Sequence, residues 1–133
     1  MKYLFRPIQQ TPHEVGEDQP DGKRLMKHAR GHVSYGPYCR LDPGCYFGGF
    51  HVRALRSPAG AHAIHIDVCC RQAAEVLAER WYSGREILRG VAGLCGVPFA
   101  LNSPAEEVEV RLWADGKGTF EVSGMLLFRT DLI

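Results

Sequence analysis

The chain has 133 residues, of which 45% are apolar and 23% charged, enough for one ordinary globular domain with a real core and unlike a disordered segment. Sixteen basic against fifteen acidic residues leave a net charge of +1, so the composition supplies no basic footprint for nucleic acid. No stretch approaches the ~20 apolar residues that span a bilayer, and Arg6 and Pro7 interrupt the short apolar start too early for a secretory leader. A cytoplasmic location, with neither nucleic acid nor membrane as partner, is expected.

Residues 1–22 carry Pro7, Pro12, Pro20, Gly16, Gly22 and the acids Glu14, Glu17 and Asp18. They read as an N-terminal arm or linker, with a short strand at Tyr3-Leu4-Phe5. A β-domain is expected over 23–133. Its first strand is predicted at 25–29 and its second at 33–41, where Gly36-Pro37 demands an edge position or a bulge. The third covers 45–55 and the fourth 61–70, set off by turns at Asp42-Pro43-Gly44 and at Ser57-Pro58-Ala59-Gly60. Period-two alternation between Pro/Gly turns is the mark of half-buried antiparallel strands.

The stretch after Cys70 has helix-forming composition, yet Tyr82-Ser83-Gly84 closes it after the short run a sandwich expects, so a fifth strand is predicted at 76–82. Further strands follow at 96–101, 107–113 and 119–129, the last two flanking Asp115-Gly116-Lys117-Gly118. About eight strands at this spacing predict an all-β fold, a two-sheet antiparallel jelly-roll sandwich.

Parity sorts the faces. Tyr46, Phe50, Val52 and Ala54 share one side of the third strand, opposite Phe47, His51, Arg53 and Leu55. Ile64, Ile66, Val68 and Cys70 share one side of the fourth, opposite His65, Asp67 and Cys69. Val108, Val110 and Leu112 face inward, and Glu109, Arg111 and Trp113 outward. If Leu55 pairs with Ala61 across the turn between them, His51 stands opposite His65 and Arg53 opposite Ala63. Tyr38 and Tyr46 are expected in the core. Gly48-Gly49 inside a strand marks the close approach of a ligand ring or of the neighbouring sheet.

Gly36-Pro37-Tyr38, Leu41, Pro43-Gly44-x-Tyr46 and the alternating Phe50 and Val52 resemble galactose-binding-like β-sandwich modules. Many carbohydrate-binding modules belong to that group, some of them appended to bacterial glycosyltransferases and other glycan enzymes. The segment from Val108 to Trp113, followed by Phe120-Glu121-Val122-x-Gly124-x-x-Leu127, is similar to their closing pair of strands. The likeness spans residues 23–129. It implies binding sites in the loops of one rim or on a sheet face, and a structural calcium held by early acidic residues. The chain departs from that pattern around Leu25, where paired acids are lacking.

Sugar recognition needs a flat ring for the C–H face of a pyranose and a fork of donors and acceptors for its hydroxyls. His51, Arg53, His65, Asp67, Glu109, Arg111 and Trp113 form one outer-face set with this chemistry, and Trp81 offers a stacking ring on a rim loop. The alternative for the same residues is a solvated face with cross-strand ion pairs, and for Trp81 a plug in the end of the sandwich. Cys39, Cys45, Cys69, Cys70 and Cys95 are odd in number, and they read as reduced, mostly buried thiols. His62-x-x-His65 with His51 is half a metal site at most, since its parities disagree. No serine-nucleophile motif, phosphate-cradling loop or catalytic carboxylate pair is present.

The expected function is a non-catalytic carbohydrate-binding module, accessory to bacterial glycan synthesis or modification, without metal or cofactor. Its partners would be a carbohydrate ligand and either a glycan enzyme or a second copy. The alternatives are a protein-interaction domain that pairs by β-augmentation and, more remotely, a cupin-like metalloenzyme.

Overall fold

In the computed structural model, which describes residues 3–56 and 62–131, eleven strands form two antiparallel sheets. The back sheet contains β1 (Tyr3–Pro7), β2 (Glu17–Asp18), β3 (Arg24–Lys27), β6 (Gly44–Arg56), β9 (Gly93–Leu101) and β11 (Thr119–Arg129). Its order is β2-β3-β11-β6-β9, with β1 also on β11. The front sheet contains β4 (Arg30–Ser34), β5 (Pro37–Leu41), β7 (His62–Cys70), β8 (Glu75–Ser83) and β10 (Ala105–Asp115). Its order is β4-β10-β7-β8, with β5 also on β10. A single 3-10 turn, Ile8–Gln10, is the one helical element among the described residues.

Alternation builds the core as expected. Phe50, Val52, Ile64, Ile66, Val68, Val108, Val110, Leu112, Val122, Met125 and Leu127 are all fully buried between the sheets. Each large side chain so placed contributes roughly 1.5–3 kcal/mol. Gly48 lets the layers meet, because a methyl there would sit 3.1 Å from the Val110 side chain and 3.2 Å from that of Val68. Gly49 serves a different contact: a Cβ there would run into the carbonyl of Cys95 on β9. Of the two readings of this pair, neighbouring backbone and sheet are what approach.

Three sequence expectations change. β6 pairs with β11 and β9 in the back sheet, whereas β7 pairs with β10 and β8 in the front sheet. They share no ladder, so His51 does not face His65, and Arg53 does not face Ala63. The expected pairing partner Ala61 and the Ser57–Gly60 turn lie outside the described residues. A chain crossing between sheets keeps the same inside–outside alternation as a hairpin, which is why parity could not separate the two.

The predicted strand 33–41 is two strands. Gly36 takes φ +113° and Tyr38 φ +64° around a cis Gly36-Pro37 bond, and the odd residues Val33 and Leu41 face the core on both sides of the break. Both pieces lie on the same edge of β10.

The stretch expected as an arm or linker instead lies on the sandwich. β1 pairs with Gly124–Phe128 along its whole length, β2 pairs with β3, and Ile8 is buried in the core. Arg24, fully buried beside Met26, fastens it. Its Nε donates to Asp18 Oδ1 at 2.6 Å, Nη1 to Val33 O at 2.8 Å and Thr11 Oγ1 at 3.2 Å, and Nη2 to Thr11 O at 3.1 Å and Asp18 Oδ2 at 3.3 Å. All five guanidinium N–H groups are thereby used. Ser34 adds a hydrogen bond to Thr11 Oγ1 at 2.6 Å.

Two outcomes follow for stability. The Arg24 hydrogen bonds hold the Asp18 carboxyl below its ordinary value of 3.8. A depressed carboxylate pKa stabilises the fold at neutral pH and loses that contribution as pH falls through the folded value. Asp18→Asn is expected to cost about 1.5–3 kcal/mol at neutral pH, with the gap from wild type closing in thermal melts taken below pH 3.8. Gly49→Ala is expected to lower the urea midpoint by an amount equivalent to ~1–3 kcal/mol, as overpacking does.

Candidate functional site

The outer side of the front sheet collects most of the polar and aromatic candidates, because residues 109, 111 and 113 of β10 and 65, 67 and 69 of β7 point away from the core. Four strands align one cross-sheet row: His32 on β4, Trp113 on β10, His65 on β7 and Trp81 on β8. The His32 ring meets Trp113 edge-on at 5.1 Å. The next row is Arg111, Asp67 and Glu79, and the one after places Glu109 beside Cys69.

Arg111 and Asp67 form a fork. Nε donates to Oδ1 at 2.8 Å and Nη2 to Oδ2 at 2.5 Å, and Asp67 is buried. This pairing raises the guanidinium pKa above its ordinary value and leaves Nη1 without a partner among the described residues. His65 Nε2 lies 3.1 Å from Glu79 Oε1.

Beside the fork is a depression of about 200 Å³ lined by Glu14, His32, Tyr35, Tyr38, Glu109 and Arg111. Glu14 reaches it from the segment that Arg24 fastens. Its Oε1 accepts the His32 backbone N–H at 3.0 Å and lies 2.9 Å from His32 Nδ1, and the first of these contacts, then the second, holds its carboxyl below the usual range. The Tyr38 phenol is pushed up, by burial first and then by the charge of Glu109. A second hollow of about 290 Å³ begins on the other side of Tyr35 and Tyr38 and runs towards Arg6 and Gln10. The two tyrosines form the ridge between them.

Glu14, His32, Tyr35 and Tyr38 were absent from the residues that sequence pattern assembled. Tyr38, expected in the core, is 50% exposed; it shares the even, outward parity of His32, opposite to buried Val33 and Leu41. Tyr46 does lie in the core and donates its hydroxyl to Asp42 O at 2.6 Å. His32 carried a readable signal, since it alternates outward between buried Gly31 and Val33. Glu14 carried none, lying in a segment without periodicity.

Trp81 is 36% exposed on the same face, but its ring is covered. His62 stacks on it at 4.8 Å with planes 12° apart, and His65 leans on it at 4.8 Å. His51 and Arg53 lie on the far side of the sandwich. Arg53 donates to Glu121 Oε1 at 2.8 Å, with Lys23 3.5 Å from the same oxygen, and His51 sits between Leu94 and Gly124. The structure thus brings together His65, Asp67, Glu109, Arg111, Trp113 and Trp81, and separates His51 and Arg53 from them. His51 and His65 cannot share a metal across two sheets, and no three His, Cys, Asp or Glu side chains converge as ligands among the described residues.

The other openings differ in chemistry. A cleft of about 240 Å³ at one end of the sandwich is lined by Cys70, Arg71, Glu75, Leu77 and residues 100–105 and offers no ring for stacking. Burial pushes the Cys69 thiol up to about 12 and that of Cys95 up to about 11, so neither is a ready nucleophile.

Comparison with solved structures places the architecture. The C-terminal CBM6 of LamC, a marine laminarinase from Zobellia galactanivorans, superposes with a TM-score of 0.61 at 8% identity, covering 96% of this chain and 100% of the other. The carbohydrate-binding module CBM6cm-2 of Cellvibrio mixtus lichenase 5A, solved with cellotriose, gives 0.57 at 10% identity over 98% and 99%. The xylan-binding module CBM15 gives 0.56 at 11% identity over 100% and 94%. The likeness is one of fold. No protein-family model matches the chain, and no curated protein matches it in sequence. The resemblance read from the Gly36-Pro37-Tyr38 and Pro43-Gly44-x-Tyr46 motifs therefore holds at the level of the fold, a two-sheet β-sandwich like that of these modules.

The fork carries its own test. Asp67→Ala strands a largely buried guanidinium and is expected to cost roughly 3 kcal/mol, whereas the Asp67→Ala/Arg111→Ala double variant costs less than the single one. Urea unfolding of the three proteins measures both.

Proposed function

We propose that this chain is a non-catalytic carbohydrate-binding module, and that its ligand lies on the outer side of the front sheet. One observation carries the reading. Exposed Tyr38, with Tyr35 and half-buried Trp113, stands beside a fixed Arg111 fork with an unused Nη1 and beside the Glu109 carboxylate. Rings supply the stacking surface, and the guanidinium and carboxylate supply the donor and acceptor that vicinal hydroxyls match. Tyr35 and Tyr38 lie between two hollows, a layout that suits an oligosaccharide better than a single sugar. Support also comes from the whole-length likeness to modules whose names record cellotriose and xylan. An accessory role in glycan synthesis or modification is part of the same proposal.

A glycan array followed by calorimetric titration tests it. Tyr38→Ala and Arg111→Ala are each expected to weaken binding by ~1–3 kcal/mol with the fold retained, and His51→Ala on the far face to leave it unchanged. Failure of every mono- and oligosaccharide to bind at millimolar concentration overturns the proposal.

A protein-interaction domain is the second reading, favoured by the outer side of the back sheet. There Tyr3, Phe128, Phe47 and Pro98 align across four strands, with ring centroids 6.3 and 5.5 Å apart. Tyr3 is 58% exposed and nearby Leu94 44%. Under this reading light scattering detects a dimer that Tyr3→Ser and Leu94→Ser dissociate; a monomer at all concentrations removes it.

A further inference from the structure

The charge of the front face does not balance. Glu109 is only 5% exposed, yet it lines the depression. Its donors are the Cys69 thiol, 3.6 Å from Oε2 and weak, and the Tyr38 phenol; neither carries a positive charge. Arg111 beside it has its charge already matched by Asp67 through two hydrogen bonds. Lining the same depression is Glu14, a second carboxylate, which accepts the His32 backbone N–H and lies 2.9 Å from the His32 imidazole, with no lysine or arginine among its ion pairs within the described residues. The depression therefore gives Glu109 no cation of its own, since Arg111 is forked to Asp67, and gives Glu14 only the His32 imidazole; a buried carboxylate without a paired charge is costly.

We infer that the depression selects a glycan carrying a protonated amine, a hexosamine whose ring nitrogen substituent is a free ammonium, with Glu109 and Glu14 as its counter-charges. The inference rests on the carbohydrate reading of this face and adds the chemical class of the ligand. A uronic acid, sulfate or phosphate would bring like charge against Glu109 and Glu14. A neutral sugar would satisfy the hydroxyl donors and acceptors but leave the buried charge unanswered. An ammonium is a compact point charge with three donors, suited to a depression that both Glu14 and Glu109 line. Tyr35 and Tyr38 add ring faces that attract a cation as well as a pyranose. Arg111 Nη1 remains available for a hydroxyl, which is what favours a sugar amine over a bare lysine side chain.

The test is a calorimetric titration of the whole chain with glucosamine oligosaccharides, with their N-acetylated counterparts and with cello-oligosaccharides of equal length, at low salt and about pH 6, where an amine of this basicity is protonated. The free amine is expected to bind at least about tenfold more tightly than either neutral series. That advantage should shrink as salt is raised and be lost in Glu109→Gln. Thermal melts establish that Glu109→Gln folds, and Glu14→Gln, on an exposed side chain, is the second variant, expected to lose part of the same advantage. Equal or tighter binding of the neutral sugars overturns the inference and leaves the carbohydrate reading standing. Binding of no saccharide at all overturns both. Capture of a lysine-rich peptide with no response to any amino sugar also overturns the inference, since the carboxylates would then serve a protein.

Discussion

One buried guanidinium ties the N-terminal segment to both layers at the edge of the apolar core. Arg24 projects from the back sheet into the space between the layers, where its five N–H groups end on Asp18, on Thr11 and on a β4 carbonyl of the front sheet. A buried charge is tolerated only when paired and fully hydrogen-bonded, so these partners are held in place together or not at all. Glu14 lies between Thr11 and Asp18 in sequence, and His32 precedes the bonded carbonyl of Val33. The wall of the candidate site is thus positioned by the contact that closes the edge of the sandwich.

The sandwich offers two outer faces of opposite character. The front face carries carboxylates, imidazoles and a forked arginine, with rings set among them. The back face carries an aromatic row laid over small residues: a Cβ on Gly96 would meet the Phe47 ring, and one on Gly124 would meet the Phe5 ring. Tilted rings over glycines make an apolar surface there, whereas the front face is charged. A polar ligand and a protein partner would therefore be sorted to different sides of the molecule without competing.

Much of the candidate site was legible before any coordinates. Period-two alternation assigned Asp67, Glu109, Arg111 and Trp113 to outward positions, and they share a face as read. It could not assign the sheet. His51 and Arg53 have the same outward parity as His65, yet a crossover after β6 sends them to the far side. Tyr38 was misread because it was assigned to the core as a large ring, although its even parity matches outward His32 and Arg40 rather than buried Val33 and Leu41. Glu14 had no pattern to betray it; the Arg24 hydrogen bonds and the backbone bonds of Glu14 and Val15 to His32 bring its segment to the face.

By itself the sequence determined the all-β class, most of the strands and which side of each strand is buried. These are local properties, since side-chain alternation and Pro/Gly turns act over a few residues. Only the tertiary structure decided which strands are neighbours, that residues 3–18 belong to the sandwich, and which polar residues share a surface. Those depend on contacts between residues far apart in the chain, and a strand buries its apolar side equally well in either layer.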